Sequence, residues 1–325
     1  MTLLLSRDDV AALLDPDAMI EVIAAACVAY SRGETDTPLR AAVTAPGGAG
    51  VLLAMPGAMR DPAVLGTKVV TVFPGNGAAG LPRVASLYLL SDPATGMPEA
   101  VMDGTGITAA RTAAASAVAT RHLARLDART LGVFGTGVQA HAHVGMIARV
   151  RDLATVLVAG RTMAAGDAFA RRVTDTLGIE ARAAPPAEVA MADVVACCTT
   201  SPVPVLEAVA PGAHVNAVGA FTPATRELPT AVVANGVVFV DTREGALAEA
   251  GDLLIPIAEG QFDAARVEGE LGEVVAGTVP GRASRGSDAV TVYKSVGAAF
   301  LDAATARMVV ERARAAGLGT AFHFL

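Results

Sequence analysis

Only two lysines stand among the 25 basic residues of this 325-residue chain, so each one is informative. Lys68 lies in the β-branched run GTKVVTVF, and Lys294 precedes a C-terminal helical stretch. A lysine inside a strand is either a solvated charge on an edge or a buried amine. Burial moves its pKa far enough for it to hold or release a proton near neutrality. Where arginine is the default cation, the second reading is favoured for Lys68, and Lys294 is assigned a structural role. Arg111 sits among small residues in ITAARTAAASAVAT, placed by the pattern near a helix start, where with Thr112 it would meet an anion. Arg40, after Thr37-Pro38 at the start of a strand, offers a second guanidinium fork for a carboxylate, though a surface charge explains it equally well.

A second constellation is the run Gly135-Thr136-Gly137-Val138-Gln139-Ala140, which fits GxGxxA between a strand and a helix. Such a turn lets backbone approach a pyrophosphate, and the helix N-terminus supplies N–H groups and a positive dipole end. The following strand ends at Gly160-Arg161-Thr162, with no acid to accept the ribose hydroxyls of NAD(H). Arginine and threonine there favour the 2′-phosphate of NADP(H); an arginine stacked on adenine would accept either cofactor.

The elements that must position these groups fall into two patterns. From Leu131 onward, apolar runs (LGVFG, VLVAG, ADVVACC, AHVNAVGA, GVVFVD) alternate with helical stretches, as in a doubly wound α/β domain with a parallel sheet. Before it, a helix capped by Asp15 precedes AAVTA, GVLLAMPG, GTKVVTVFPGN and RVASLYLLSD, which read as an antiparallel or mixed sheet. The helical C-terminus from Ser295 is too short to stand alone and is expected to pack on this first part. The expected division is therefore a substrate and dimerisation domain at 1–118 with 295–325, and a dinucleotide domain at 119–294.

Composition excludes several classes. The chain is 53% hydrophobic and 18% charged, which rules out disorder, and Pro and Gly interrupt its long apolar stretches, which argues against a membrane span. A net charge of −7 disfavours nucleic acid. Cys27, Cys197 and Cys198 form no disulfide or zinc pattern, His141 and His143 lie on different helix faces, and no metal site is expected. Without a signal-peptide pattern, the cytoplasm is the expected compartment.

Taken together, these residues resemble the ornithine cyclodeaminase/mu-crystallin family over nearly the whole chain. The likeness is carried by Met55-Pro56, Gly66-Thr67-Lys68, Phe73-Pro74-Gly75-Asn76, Gly80-Leu81-Pro82, the run DGTGITAARTAA from Asp103, Arg226-Glu227-Leu228, Pro280-Gly281-Arg282 and Ser295-Val296-Gly297. The resemblance implies a Rossmann domain, a smaller α+β domain built from both termini, and a homodimer formed through the latter. It implies hydride exchange between a nicotinamide and the α-carbon of an amino or imino acid. Arg40 and Arg111 would fork the substrate carboxylate, with Lys68 beside the imine or keto centre. Gly135, Thr136, Gly137, Val138, Gln139, Arg161 and Thr162 would bind the cofactor, Thr112 would touch its phosphates, and Val218, Gly219 and Ser295 would lie near its nicotinamide end.

One position departs from the cyclodeaminase pattern: Phe221 stands where that branch carries a catalytic aspartate. Phenylalanine can neither orient a water nor bind a distal ammonium, which disfavours ornithine cyclisation. The expected activity is NAD(P)H-dependent reduction of an imino acid to an α-amino acid. A cyclic substrate such as pyrroline- or piperideine-2-carboxylate suits Phe221 as an apolar wall. An acyclic iminosuccinate would need a further cation, for which Arg83 is the candidate. The alternatives are an alanine-type amino acid dehydrogenase and a non-catalytic, NADPH-binding crystallin-like protein.

Overall fold

The structure, a computed structural model, describes residues 1–324. The chain divides into two compact units, residues 1–111 with 298–325 and residues 112–297. The sequence reading drew its boundaries at 118/119 and 294/295. In the structure the first cut falls inside one continuous helix, Gly104–Leu123, whose even run of small residues gives no compositional signal of a boundary.

In the first unit, the strands are β1 (Thr2–Leu5), β2 (Thr35–Asp36), β3 (Ala41–Thr44), β4 (Val51–Met59), β5 (Val64–Val72), β6 (Val84–Ser91) and β7 (Pro98–Asp103). The sheet runs from the C-terminal strand Thr320–Phe322 through β1, β7, β6, β5 and β4 to β2, with β3 also paired to β4. Only β1 and β7 pair in parallel, so the sheet is mixed. Alternation along β5 buries Val64, Gly66, Lys68 and Val70 while Leu65 and Val69 face outward. One helix lies on the buried face and a second packs against it. Pro16–Ser31 starts at an Asp15 cap, whose carboxylate accepts from Ala18 N at 2.9 Å. Ala299–Ala316, which ends at left-handed Gly317, packs on that helix and on β4, β5 and β6. Tyr30 and Phe300 stack between the two helices at 4.8 Å.

The second unit contains β8 (Thr130–Phe134), β9 (Thr155–Ala159), β10 (Glu180–Ala183), β11 (Val194–Cys197), β12 (His214–Ala217), β13 (Val237–Val240), β14 (Val267–Glu270) and β15 (Thr291–Lys294). Its order is β10-β9-β8-β11-β12-β15-β13-β14, with all neighbours parallel. Strand order reverses between β8 and β11, the switch point where doubly wound sheets bind ligands. Leu131, Val133, Val194 and Ala196 join one apolar core, while Phe134, Val195 and Cys197 join the other. Both faces are therefore covered, which is why these strands read as continuous apolar runs. The C-terminal end of Gly104–Leu123 is capped within this unit by Arg151, which donates to the carbonyls of Thr120, Arg121, Ala124 and Arg125 at 2.8–3.2 Å. Among the described residues, no helix is long and apolar enough to cross a membrane.

Candidate functional site

The first unit gathers the cations. Lys68 stands in the middle of β5, opposite Met55 of β4 and Tyr88 of β6, and is only 1% exposed. The edge-strand alternative for Lys68 is thereby excluded. Its Nζ donates to Asp302 Oδ2 at 2.7 Å, and Arg111 Nε donates to Asp302 Oδ1 at 3.0 Å. One fully buried carboxylate on the C-terminal helix thus bridges two cations from distant parts of the chain.

Burial lowers the Lys68 pKa to about 8; Asp302 opposes that fall, while Arg111 and Arg40 add to it. Burial alone would raise the Asp302 carboxyl, but Arg111 and Lys68 hold it below the usual carboxylate range. Arg40 is half-buried between β2 and β3, close enough for its charge to reach Lys68. Two cations therefore share one carboxylate, with the Arg40 charge reaching Lys68 as well, and this excess favours an anion.

Arg111 is not in the first turn of its helix. The helix opens at Gly104, where Asp103 accepts from the N–H groups of Thr105 and Gly106 at 3.1 and 2.7 Å. Arg111 and Thr112 lie two turns further on, so the dipole argument does not apply to them. What holds the buried Arg111 is Asp302. Arg83 is exposed, lies against Gly77 in the turn Pro74–Ala79, and precedes β6, well before Tyr88, the residue opposite Lys68. The structure does not bring it into the Lys68 cluster.

Asp302 escaped the sequence reading, although a lone acid within AAFLDAATA, a run otherwise small or apolar, was a usable signal. A carboxylate with no solvent-facing neighbours of its kind needs a buried partner. Tyr88 escaped too. Its phenol is buried without a hydrogen-bond partner, and burial and the Asp302 charge both raise its pKa.

The second unit carries the glycine turn. Gly135 follows β8 with φ +108°, a conformation L side chains rarely adopt, and a Cβ there would lie 2.6 Å from Cys198 O. Gly137 is the N-cap of Val138–Ile147 and has no side chain with which to cap that helix. Space beside Gly137 is free, and Val138 is 69% exposed. Such a cradle fits a pyrophosphate. Gln139 is half-buried on the same turn, and its carbonyl also meets the buried His143 ring. Arg161 is exposed after β9 and forms no ion pair among the described residues. Thr162 caps the helix Met163–Leu177 by accepting from Ala165 N at 3.2 Å.

The remaining candidates lie at the carboxyl ends of neighbouring strands. Val218 and Gly219 follow β12, and Phe221 packs half-buried against the Val-rich core on that side. Ser295 follows β15 and donates to Asp241 Oδ2 at 2.8 Å; that carboxylate also accepts from the N–H groups of Val296 and Gly297. Lys294 is closed off. It pairs with Asp252 at 2.8 Å and donates to Ala220 O at 2.5 Å.

Fold and site together define a two-unit Rossmann-type protein with a dinucleotide cradle and a buried cationic cluster. The chain belongs to the ornithine cyclodeaminase/mu-crystallin family, whose model matches residues 1–317. It is 36% identical over 326 residues to a Delta(1)-pyrroline-2-carboxylate reductase of Bacillus cereus, covering 99% of this chain and 100% of the relative. Among solved structures, it superposes on the Thermococcus litoralis Delta(1)-pyrroline-2-carboxylate reductase in complex with NADH and L-proline with a TM-score of 0.96, at 38% identity and 99% and 100% coverage. An archaeal alanine dehydrogenase dimer with bound NAD gives a TM-score of 0.94 at 32% identity, with 100% and 99% coverage.

Proposed function

We infer that this protein is an NAD(P)-dependent oxidoreductase that reduces the C=N bond of an imino acid to give an α-amino acid. The observation that carries this reading is the buried Lys68–Asp302–Arg111 triad, with Arg40 adding charge. Arg111 and Arg40 are assigned to the substrate carboxylate. Lys68, with a pKa near 8, holds a proton at Nζ under neutral conditions and is assigned to the imine nitrogen. When bound, the reduced nicotinamide supplies the hydride for the α-carbon. The chain's own residues then have to fix the carboxylate, shield the imine from water and keep one proton at hand.

A cyclic monocarboxylate, Δ1-pyrroline-2-carboxylate or its six-membered homologue, is the proposed substrate. Two features support it: Arg83 stands apart from the cationic cluster, leaving a second carboxylate without that partner, and Phe221 presents an apolar side chain. Phe221 also weighs against cyclodeaminase chemistry. The test is oxidation of NAD(P)H with pyrroline-2-carboxylate, iminosuccinate, or pyruvate plus ammonium. The cyclic imine is expected to turn over fastest and to yield proline. Faster turnover with pyruvate and ammonium would transfer the assignment to an alanine-type dehydrogenase.

Two finer points belong to the same proposal. Arg161 and Thr162, with no acid beside them, support use of NADP(H); the solved relatives hold NADH and NAD, so competition between the two reduced cofactors is the measurement that decides. The outer face of the first sheet carries Val43, Leu52, Val69, Leu87 and Leu89 exposed side by side, which supports a homodimer through that face. Val69→Glu with Leu87→Glu is expected to halve the mass in sedimentation. An unchanged mass would place the contact elsewhere. A reducing cytoplasm is the proposed compartment, since Cys27, Cys197 and Cys198 form no disulfide among the described residues.

A further inference from the structure

Glu227, in the Arg226-Glu227-Leu228 motif, is fully buried yet takes no part in the cationic cluster. Its Oε1 accepts from Thr199 N and Thr199 Oγ1, both at 2.7 Å, and its Oε2 accepts from Gly219 N at 2.6 Å. Thr199 follows β11 and Gly219 follows β12, so this one carboxylate ties together the loops leaving two adjacent parallel strands. The approach is close: a Cβ on Gly219 would come within 2.1 Å of Thr199 O and 2.5 Å of Glu227 Oε1.

The clasp is held from behind. Glu227 N and Leu228 N donate to Asp252 Oδ1 at 2.7 and 2.8 Å, and Asp252 Oδ2 meets Lys294 Nζ at 2.8 Å. Lys294 in turn donates to Ala220 O at 2.5 Å. The backbone segment Gly219–Ala220 is therefore gripped from both sides, immediately before Phe221. Ligands of doubly wound sheets lie in the crevice at these carboxyl ends.

We propose that Glu227 is a positioning residue for the nicotinamide end of the dinucleotide, acting through the Thr199 and Gly219 loops it joins. The proposal rests on the reading of this crevice as a nicotinamide dinucleotide site. A carboxylate is required because both of its oxygens face backbone N–H groups. Glutamine has one acceptor oxygen, so either orientation of its amide turns an NH2 group onto an N–H. Glu227→Gln thus pushes one loop away without changing side-chain size. The pyrophosphate cradle at Gly135–Gln139 is on another loop, after β8; it touches the Cys198–Thr199 loop at Gly135, and the helix N-terminus from Gly137 lies beyond that contact.

The experiment compares intact cofactor with its nicotinamide-free counterpart: NADH with ADP-ribose, and NADPH with 2′-phospho-ADP-ribose. In Glu227→Gln, the dissociation constant of the reduced cofactor is expected to rise about tenfold and kcat to fall by ~10–100-fold, since displacements of about 1 Å at a reacting centre have effects of this order. Binding of the nicotinamide-free ligand should stay within about twofold of wild type. Thr199→Val removes only the hydroxyl donor and should give a smaller change in the same direction. Equal weakening of both ligands in the two variants would reduce Glu227 to a structural role and overturn the proposal, as would unchanged cofactor binding and kcat. A wild-type protein that binds neither NADH nor NADPH would instead overturn the underlying dinucleotide reading.

Discussion

The two lysines of this protein are both buried and both paired with an aspartate, yet their surroundings set them to opposite tasks. Lys68 shares Asp302 with Arg111 and feels Arg40, so cations outnumber carboxylates around it. Lys294 faces Asp252, with Glu227 behind it and Ala220 O as a second acceptor, so carboxylates outnumber cations. An unbalanced cationic cluster attracts an anion and weakens its lysine as a proton holder. An acid-rich one pairs its lysine and locks backbone in place. Burial is the main cause of the lowered Lys68 pKa, and the cations beside it add to that fall.

The largest expected effect separates the two directly. Lys68→Ala should lower imine reduction by on the order of 10²–10⁴-fold, as for loss of a proton-transferring group, with cofactor binding unchanged in a fluorescence titration. Turnover near wild type would remove Lys68 from the mechanism. Asp302 keeps Arg111 in that variant, so the fold should survive.

Lys294→Met is the complementary change. It leaves the buried Asp252 without its cation and should cost about 3–5 kcal/mol of unfolding free energy in urea denaturation. A loss under about 1 kcal/mol would mean that the second cluster does not depend on its lysine.

The pH profile gives a smaller and more specific effect. Lys68 is protonated below its pKa of about 8, so activity that needs its proton should persist at neutral pH and fall as pH rises through that value. Asp302 raises the Lys68 pKa, so Asp302→Asn should move the alkaline limb to lower pH. An alkaline limb at the same pH in both proteins would show that another group titrates. Smallest is Arg161→Ser, on the surface of the second unit, which should shift the NADPH-to-NADH preference towards NADH by about tenfold through loss of one charge-assisted contact. No shift would mean that Arg161 does not meet a 2′-phosphate.

Legibility in the sequence followed the range of the interactions. The strands β8, β9, β11, β12 and β13 were readable because burial on both faces makes each a continuous apolar run. Edge strands β10 and β14 were missed, since pairing on one side demands little of composition, and β1 was missed because four residues are too few to show a pattern. β15 was missed for another reason: it enters the sheet between β12 and β13, out of chain order, and its last residue is a lysine. The helix start at Gly104 was missed because its cap is Asp103, the last residue of a strand, and that error misplaced Arg111 relative to the dipole.

By itself the sequence determined the chemistry on offer: a rare lysine in a strand, two arginines suited to a carboxylate, and a glycine turn opening a helix. These are local properties of residue type, spacing and backbone preference. Which charges meet was decided only by the tertiary structure. Lys68 finds Asp302 across 234 residues and Arg111 finds the same carboxylate across 191, while Lys294 finds Asp252 instead. Ion pairing depends on distance and dielectric, and neither is encoded at any single position.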